Sequence, residues 1–240
     1  MKQTHDIFVR AYAIPAEQQD KRKKKGASMP LSGEESKWPK KALIFDTESR
    51  ITPDQSLTFG VYRLCDLIDG EYVPREEGVF YSDDLPSCER QVLETYQLTA
   101  IPDMQSFPPS FPAYPLTEFM KKIFWPAMVR RGALACGFNM PFDLSRLALD
   151  WTKGDKNEWS LTMRQYADGV DNKNYPHILI QPIDSKKAFI RLATPWQSKQ
   201  RKKKRWKKLR VGRFLDLRTL EIAKCNRERR CQSENHANWN

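Results

Sequence analysis

Long apolar runs are missing from this 240-residue sequence. No segment approaches the roughly 18 apolar residues that a membrane-spanning helix needs. The opening stretch, MKQTHDIFVRAYAIPAEQQ, also lacks an apolar core of signal-peptide length. We therefore expect a cytoplasmic protein without a membrane partner.

Cysteine is scarce, and its spacing suggests no pairing. The five cysteines form no CxxC motif, and an odd number fits reduced thiols better than a disulfide framework. Cys225, Cys231 and His236 could be considered zinc ligands, but their spacing matches no standard zinc site and a fourth ligand is missing. The sequence therefore favours neither a disulfide-stabilised fold nor a zinc fold.

Basic residues are abundant. Lys and Arg number 41 against 30 Asp and Glu, which gives a net charge of +11. Such a surplus favours a polyanionic partner, with nucleic acid the first candidate. The alternative is that the basic residues are simply solvated, and net charge alone does not separate the two.

The chain is expected to form one large α/β domain between two flexible ends. Residues 1–40, with the charge run DKRKKKGASMPLSGEESKWPKK, are predicted to be a flexible basic arm. Its KRKKK segment could contact phosphates or serve as a localisation signal. The folded domain spans 41–224, and residues 225–240 are predicted to be a disordered tail.

The pattern from residue 41 onward predicts three strands and then alternating helices and strands. ALIFDTES, SLTFGVYRLCDLI and EYVPREEGVFYS are strand-like, and Asp69-Gly70 predicts a tight hairpin between the last two. LTEFMKKIFWPAMVRR has helical spacing, and Pro126 should kink or end that helix. GALACGFNM predicts a strand, and PFDLSRLALDW predicts a helix with Pro141 in its first turn. HILIQPIDSKKAFIRLA and VGRFLDLRTLEIA add strand-bearing segments, the second running into a helix.

Two acids follow the apolar part of the first strand. Side chains alternate along a strand, so Asp46 and Glu48 should share one face while Thr47 points to the other. Two acids on one face repel each other unless a cation lies between them, and carboxylate oxygens suit Mg²⁺ or Mn²⁺. The alternative is that the strand emerges into solvent at Phe45 and the acids lie in a loop.

A third acid follows a later strand. GFNMPFD places Asn139 four residues before Asp143, with Phe142 adjacent to the acid, at a strand-to-helix junction. A βαβ arrangement can bring this junction back beside the first strand. Asp143 would then face the same metals as Asp46 and Glu48.

FDTES and NMPFD together resemble the first two motifs of the DEDD 3′-5′ exonucleases, which have a ribonuclease H-like fold. The Nx3D form is most similar to the exonuclease domain of family B DNA polymerases and its stand-alone bacterial relatives. The resemblance covers roughly residues 40–224. It implies a ribonuclease H-like mixed sheet, with three antiparallel strands followed by βα units.

The resemblance also implies roles for individual residues. Asp46, Glu48 and Asp143 would be catalytic and would bind a pair of Mg²⁺ or Mn²⁺ ions, while Asn139 and Phe142 would place the terminal nucleotide.

A fourth acid, Asp216, matches a strand acid that in this family lies near the metals without binding them directly. The alternative is a strand-end acid that pairs with Arg213 or Arg218.

The family's third motif, a Tyr or His followed one helical turn later by Asp, is not found after Asp216. His236 is followed at the fourth position by Asn240, a poor metal ligand. We therefore expect a C-terminally incomplete member of the family, truncated or frameshifted, with weak metal binding and nuclease activity that is low or nil.

A basic segment interrupts the region between the last two strand-bearing stretches. KQRKKKRWKKLR, residues 199–210 of a predicted insertion at 197–210, holds nine Lys or Arg around one tryptophan. Cationic and aromatic side chains together suit phosphate contacts and base stacking, whereas the alternative is a solvated charge run. The predicted nucleic-acid contacts in it are Lys202, Lys203, Lys204, Arg205, Trp206, Lys207 and Lys208.

These features support three functional hypotheses. The first is a two-metal 3′-5′ exonuclease domain acting on single-stranded 3′ ends of DNA or RNA. The second is a nucleic-acid-binding module derived from such a nuclease that no longer hydrolyses its ligand. The third is an interaction protein whose acids are incidental.

Overall fold

The fold is described from a computed structural model of the chain. The structure describes residues 38–100, 111–154, 157–164, 169–170, 172, 175–184, 187–193 and 212–221. The chain divides into two units, Met1–Trp38 and Pro39–Asn240, and the second is described below. The predicted basic insertion at 197–210 and the predicted tail at 225–240 lie outside the described residues, as does the predicted arm up to residue 37.

Ten strands form two sheets within the described residues. The larger sheet has six strands in the order β10-β5-β1-β2-β3-β4, and the smaller has four in the order β6-β7-β8-β9. The strands are β1 Lys41–Ser49, β2 Leu57–Ile68, β3 Glu71–Tyr81, β4 Ala113–Pro115, β5 Leu134–Gly137, β6 Asp150–Lys153, β7 Trp159–Thr162, β8 Ile178–Asp184, β9 Lys187–Leu192 and β10 Arg213–Asp216.

The first three strands form the predicted antiparallel succession. β1 pairs with β2, and β2 with β3, both antiparallel. Asp69 and Gly70 join β2 to β3 with φ angles of 50° and 86°. Positive φ at both central positions is what a type I′ hairpin turn requires, so the predicted hairpin is confirmed.

Two parallel strands complete the other half of the large sheet. β5 lies parallel to β1, with Ile44 beside Cys136, and β10 lies parallel to β5. The carboxyl ends of β1, β5 and β10 therefore meet at one edge of the sheet. The expectation of a mixed α/β sheet is confirmed, and the second acidic motif follows the strand that adjoins the first.

The smaller sheet differs from the prediction. The sequence predicts a helix that runs through Asp150 and Trp151. In the structure α3 ends at Leu147 and β6 begins at Asp150. β6 pairs antiparallel with β7, β7 with β8, and β8 with β9. The prediction was wrong here because Ala148 takes up an extended backbone conformation that stops the helix.

Two elements that precede the NMPFD motif were not predicted from the sequence. Helix α1 spans Ser87–Ala100, and β4 adds three residues in parallel to β3. Most of the described side chains of α1 are exposed, and its first turn carries the acid Glu89. The helix therefore lacks the broad apolar face by which an amphipathic helix is recognised in a sequence.

The helix before β5 continues past its proline. It begins as α2, Leu116–Phe119, and widens into π-helical turns at Met120–Phe124 and Pro126–Arg131. Proline lacks the amide hydrogen of an α-helical bond, and its ring clashes with the carbonyl four residues earlier. The wider turns accommodate Pro126, and the helix instead ends at Gly132, whose φ is 63°.

The core lies between the large sheet, the helices α2 and α3, and the inner face of the small sheet. α3 spans Met140–Leu147 and buries Leu144 and Leu147. The largest fully buried side chains include Phe45, Phe80 and Phe119, and the rings of Phe80 and Phe119 stack with centroids 4.0 Å apart. Within the described residues, no helix has the length and apolar character that a membrane crossing requires.

Candidate functional site

The carboxyl end of β1 separates two kinds of side chain. Asp46 and Glu48 are exposed on one face of the strand, whereas Thr47 is buried on the other. This is the predicted alternation. Both acids lie within β1, paired with Val61 and Phe59 of β2, so the alternative that they belong to a loop is wrong.

A tight turn carries the chain from β5 into α3. Asn139 has a φ of 68°, and its carbonyl accepts the backbone N–H of Phe142 at 2.9 Å. A side chain on Gly137 would meet Met140 Sδ at 2.7 Å and the carbonyl oxygen of Phe45 at 2.8 Å. Glycine at 137 thus lets the start of α3 approach β1 closely, which places Asp143 in the first turn of the helix beside the strand.

Asp143 is a buried acid with one hydrogen bond to its side chain. It is 2% exposed, and its Oδ1 accepts a 2.7 Å hydrogen bond from the Thr47 hydroxyl. Its Oδ2 is buried and has no hydrogen-bond partner within the described part of the chain. Burial raises the pKa of Asp143 to about 6, and the negative charges of Asp46 and Asp216 add to this, while the Thr47 bond opposes it.

Asp216 holds the junctions after β5 and β10 together. Its Oδ1 accepts the backbone N–H groups of Asn139 at 3.0 Å and Arg218 at 3.2 Å, and its Oδ2 accepts the Thr219 hydroxyl at 2.8 Å. Residues 217–221 are helical, so Asp216 caps the start of that helix. Both oxygens are used within the protein, which makes Asp216 a positioning residue.

The guanidinium of Arg218 binds a different partner from the one considered in the sequence. It donates to Oδ1 of Asn139 at 3.0 Å. Asn139 is therefore held twice, through its backbone by Asp216 and through its side chain by Arg218. The two junctions that follow β5 and β10 form one hydrogen-bonded unit.

Phe142 is half-buried on the first turn of α3. The guanidinium of Arg146 lies over its ring, 4.8 Å from the centroid. Arg146 also donates to the backbone carbonyl oxygens of Asp54 and Gln55. A basic group therefore lies on the aromatic residue that the sequence predicts to contact a nucleotide.

The three predicted metal ligands do not form one group in the described part of the chain. Asp46 and Asp216 lie close enough to Asp143 for their charges to raise its pKa, whereas Glu48 makes no such contribution. Among the described residues, no three His, Cys, Asp or Glu side chains form a group that could hold a metal ion as they stand. Asp46 and Glu48 are exposed, and Asp143 approaches β1 from the side of Thr47.

The donor chemistry at this edge nevertheless suits a hard divalent cation. Asp143 Oδ2 is a buried carboxylate oxygen without a partner, which is costly unless a cation or proton compensates it. The charge of the exposed acid Asp46 acts on Asp143, and Glu48 lies two residues further along β1. Asp46 and Glu48 lie on the face of β1 opposite Thr47, so in this arrangement the three acids do not converge on one ion.

Other predicted residues cannot be placed. The basic residues Lys202 to Lys208, Trp206 among them, and the zinc alternative of Cys225, Cys231 and His236 all lie outside the described residues.

Sequence reasoning missed several residues that shape the site. Thr47 was assigned only a direction, yet it is the side chain that binds Asp143. A threonine between two acids on a strand is a signal that could have indicated an inward-facing partner. Thr219, three residues after Asp216, fits a helix cap, but nothing in the sequence indicated that Arg218 binds Asn139.

Comparisons with protein-family models, with curated proteins and with solved structures find no match for this chain.

Proposed function

We propose that the domain is a ribonuclease H-like 3′-5′ exonuclease domain of the DEDD type, which binds single-stranded nucleic acid and hydrolyses its phosphodiester bonds with divalent metals. The observation that carries the proposal is the buried Oδ2 of Asp143 at the carboxyl edge of β1, which has no hydrogen-bond partner among the described residues and lies within range of the charge of Asp46. A buried carboxylate oxygen without a hydrogen-bond partner is uncommon in folded proteins and asks for a functional explanation.

The strand order supports the same class of protein. Three antiparallel strands continue through β1 into two parallel strands, and the acids lie on β1 and at the start of the helix after β5. This is the arrangement that the motif resemblance implies for a ribonuclease H-like domain. The net charge of +11 suits a nucleic-acid substrate.

In such a domain the residues of the site would bind the metals or position the terminal nucleotide. Asp46 and Glu48 would bind cations from the exposed face of β1, and Asp143 would add a ligand from the first turn of α3. A pair of bound metals supplies an activated water and stabilises the leaving oxygen. Asn139 is held by Asp216 and Arg218, so its position relative to the 3′ terminal nucleotide would be fixed before the substrate binds.

A second candidate is a nucleic-acid-binding module that does not hydrolyse its ligand. The placement of the acids favours it, because Asp143 is engaged by Thr47 on the inner face of β1 while Asp46 and Glu48 are exposed on the outer face. In this candidate the basic residues of the chain bind the strand, and the acids do not assemble a working metal pair.

Degradation of a single-stranded oligonucleotide separates the two candidates. A DNA strand and an RNA strand, each labelled at the 5′ end, are incubated with the full chain and Mg²⁺ or Mn²⁺, and the products are resolved by length. The proposal predicts a ladder that shortens from the 3′ end, is abolished by EDTA and is lost in Asp46→Ala.

The matched control is Glu94→Gln, which removes an exposed acid on α1 and should degrade the strands like the unchanged protein. Binding without degradation would favour the second candidate. Degradation that persists in Asp46→Ala would contradict the assignment of the site.

A further inference from the structure

A cavity of about 620 Å³ lies between α3 and the small sheet. Asn139, Asp216 and Arg218 line it, so it adjoins the hydrogen-bonded junctions that follow β5 and β10. Pro141 and Ser145 of α3 also line it. Its volume is typical of sites that hold a small organic group.

Two exposed tryptophans line the same cavity on the small sheet. Trp151 pairs with Leu161 across β6 and β7, and Trp159 precedes Leu161 by two residues on its strand, so both rings lie on the face that carries this core residue. The ring planes are inclined at 61° to each other, with centroids 4.8 Å apart. Trp151 is 58% exposed and Trp159 is 36% exposed.

Large exposed aromatic rings at the mouth of a cavity leave apolar area in water, which marks a binding surface. Tryptophan rings stack on nucleobases regardless of sequence, because every base presents a π face. The placement of Trp151 and Trp159 in one cavity with Asn139 connects such a stacking surface to the residue predicted to contact the terminal nucleotide.

Three basic side chains line the same cavity together with three acids, Asp150, Asp184 and Asp216, and the base Lys187 is ion-paired with Asp184. Arg146 and Arg218 line it, and the acceptors that hold their guanidinium groups include neutral oxygens, the carbonyls of Asp54 and Gln55 for Arg146 and the amide of Asn139 for Arg218. Neutral acceptors do not cancel the positive charge of a guanidinium. The two arginines are therefore suited to phosphate oxygens.

We propose that this cavity binds the unpaired bases of a single-stranded nucleic acid, with Trp151 and Trp159 stacking on bases next to the terminal nucleotide and Arg146 and Arg218 contacting its phosphates. The inference rests on the proposed function, because a single strand is the substrate assigned to the adjoining site. It adds a base-binding surface on the small sheet, which no sequence motif indicated.

The test measures binding of fluorescein-labelled oligothymidylate to the full chain by fluorescence anisotropy, in EDTA so that the strand stays intact. A strand of the same length made of abasic sites carries the same phosphates without bases. Trp151→Ala and Trp159→Ala should each weaken binding of oligothymidylate by about five- to a hundred-fold and leave binding of the abasic strand unchanged. Trp151→Phe, which keeps an aromatic ring, should recover most of the affinity.

Phe189→Ala is the matched control. Phe189 is 58% exposed and pairs with Gln181 on β8. It directly follows Ala188, which lines the cavity, so its ring lies on the opposite face of the same sheet. It should bind both strands like the unchanged protein.

The outcomes separate this inference from the proposed function. If the unchanged protein binds neither strand, the proposed function fails and this inference fails with it. If it binds oligothymidylate but Trp151→Ala and Trp159→Ala bind like Phe189→Ala, the stacking surface is wrong and the proposed function stands. Equal losses for the two strands would also overturn the inference, because loss of base stacking cannot weaken binding to a strand without bases.

Discussion

The hydroxyl of Thr47 donates a 2.7 Å hydrogen bond to Oδ1 of Asp143, which joins the end of β1 to the first turn of α3. Both residues are buried, and the other oxygen of Asp143 has no hydrogen-bond partner within the described residues. This contact therefore helps to hold Asp143, one of the three acids of the proposed metal site, against β1.

Replacing Thr47 by valine tests how much that hydrogen bond contributes to stability. Valine has nearly the shape of threonine but no hydroxyl, so Asp143 would lose its side-chain partner while remaining buried. We expect Thr47→Val to lower the free energy of unfolding by about 1–3 kcal/mol near neutral pH. Urea unfolding measures the loss, and Thr47→Ser, which keeps the hydroxyl, should lose clearly less. Equal losses in the two variants would assign the effect to packing.

The raised pKa of Asp143 predicts a dependence of stability on pH. Its pKa in the folded state is about 6, above the ordinary value of 3.8, so the folded protein holds this proton more tightly than the unfolded chain does. The contribution of Asp143 to stability is therefore most favourable below about pH 4 and declines as pH rises through 6. At about 1.4 kcal/mol per pKa unit, the decline is at most roughly 3 kcal/mol.

Asp143→Asn removes this ionisation and should be more stable than the unchanged protein at about pH 7.5 in EDTA, with the difference shrinking towards pH 4. Urea unfolding across this pH range measures it. Glu94→Gln, an exposed acid on α1, serves as the control and should follow the unchanged protein. A constant difference between Asp143→Asn and the unchanged protein at every pH would contradict the raised pKa.

The close approach at Gly137 predicts the effect of one added methyl group. In Gly137→Ala the new carbon would overlap Met140 and the backbone of β1, so we expect a loss of about 1–3 kcal/mol in the free energy of unfolding. Gly154→Ala is the matched control, because its nearest neighbouring atom would be 3.6 Å away, which is an ordinary contact. Thermal or urea unfolding compares the two variants. Similar stabilities would contradict the close approach, because they would show that the turn accepts a methyl group without a steric clash.

The capping role of Asp216 predicts a structural loss. Asp216→Ala would leave the backbone N–H groups of Asn139 and Arg218 without this acceptor, so unfolding should become easier by about 1–3 kcal/mol. Thr219→Ala removes only one of the bonds and should cost less. Hydrogen exchange at the Asn139 amide measures the local effect, and unchanged protection in Asp216→Ala would contradict it.

The hairpin turn, the alternation along β1 and the start of α3 could be predicted because each depends on a few neighbouring residues. Asp69-Gly70 specified its turn because few residues accept two consecutive positive φ angles. The alternation of Asp46, Thr47 and Glu48 followed from the geometry of a strand. Pro141 marked the start of α3 because a first helical turn tolerates a missing amide hydrogen.

The remaining features depend on contacts between distant segments. β6 carries Trp151 on four exposed residues, so its sequence lacks the buried face that marks a strand. The Thr47–Asp143 bond joins residues 96 positions apart, and Arg218 reaches Asn139 across 79. The motifs named the acids of the site, but only the packing of α3 against β1 shows which of them is buried.

Binding of Mn²⁺ followed by electron paramagnetic resonance tests the central claim most directly, because the six-line signal of free Mn²⁺ fades when the ion binds. The account predicts binding of up to about two ions per chain, lost or strongly weakened in Asp46→Asn and Asp143→Asn and retained in Glu94→Gln. A full free-ion signal with the unchanged protein, or equal binding by all four proteins, would contradict a metal site at the end of β1.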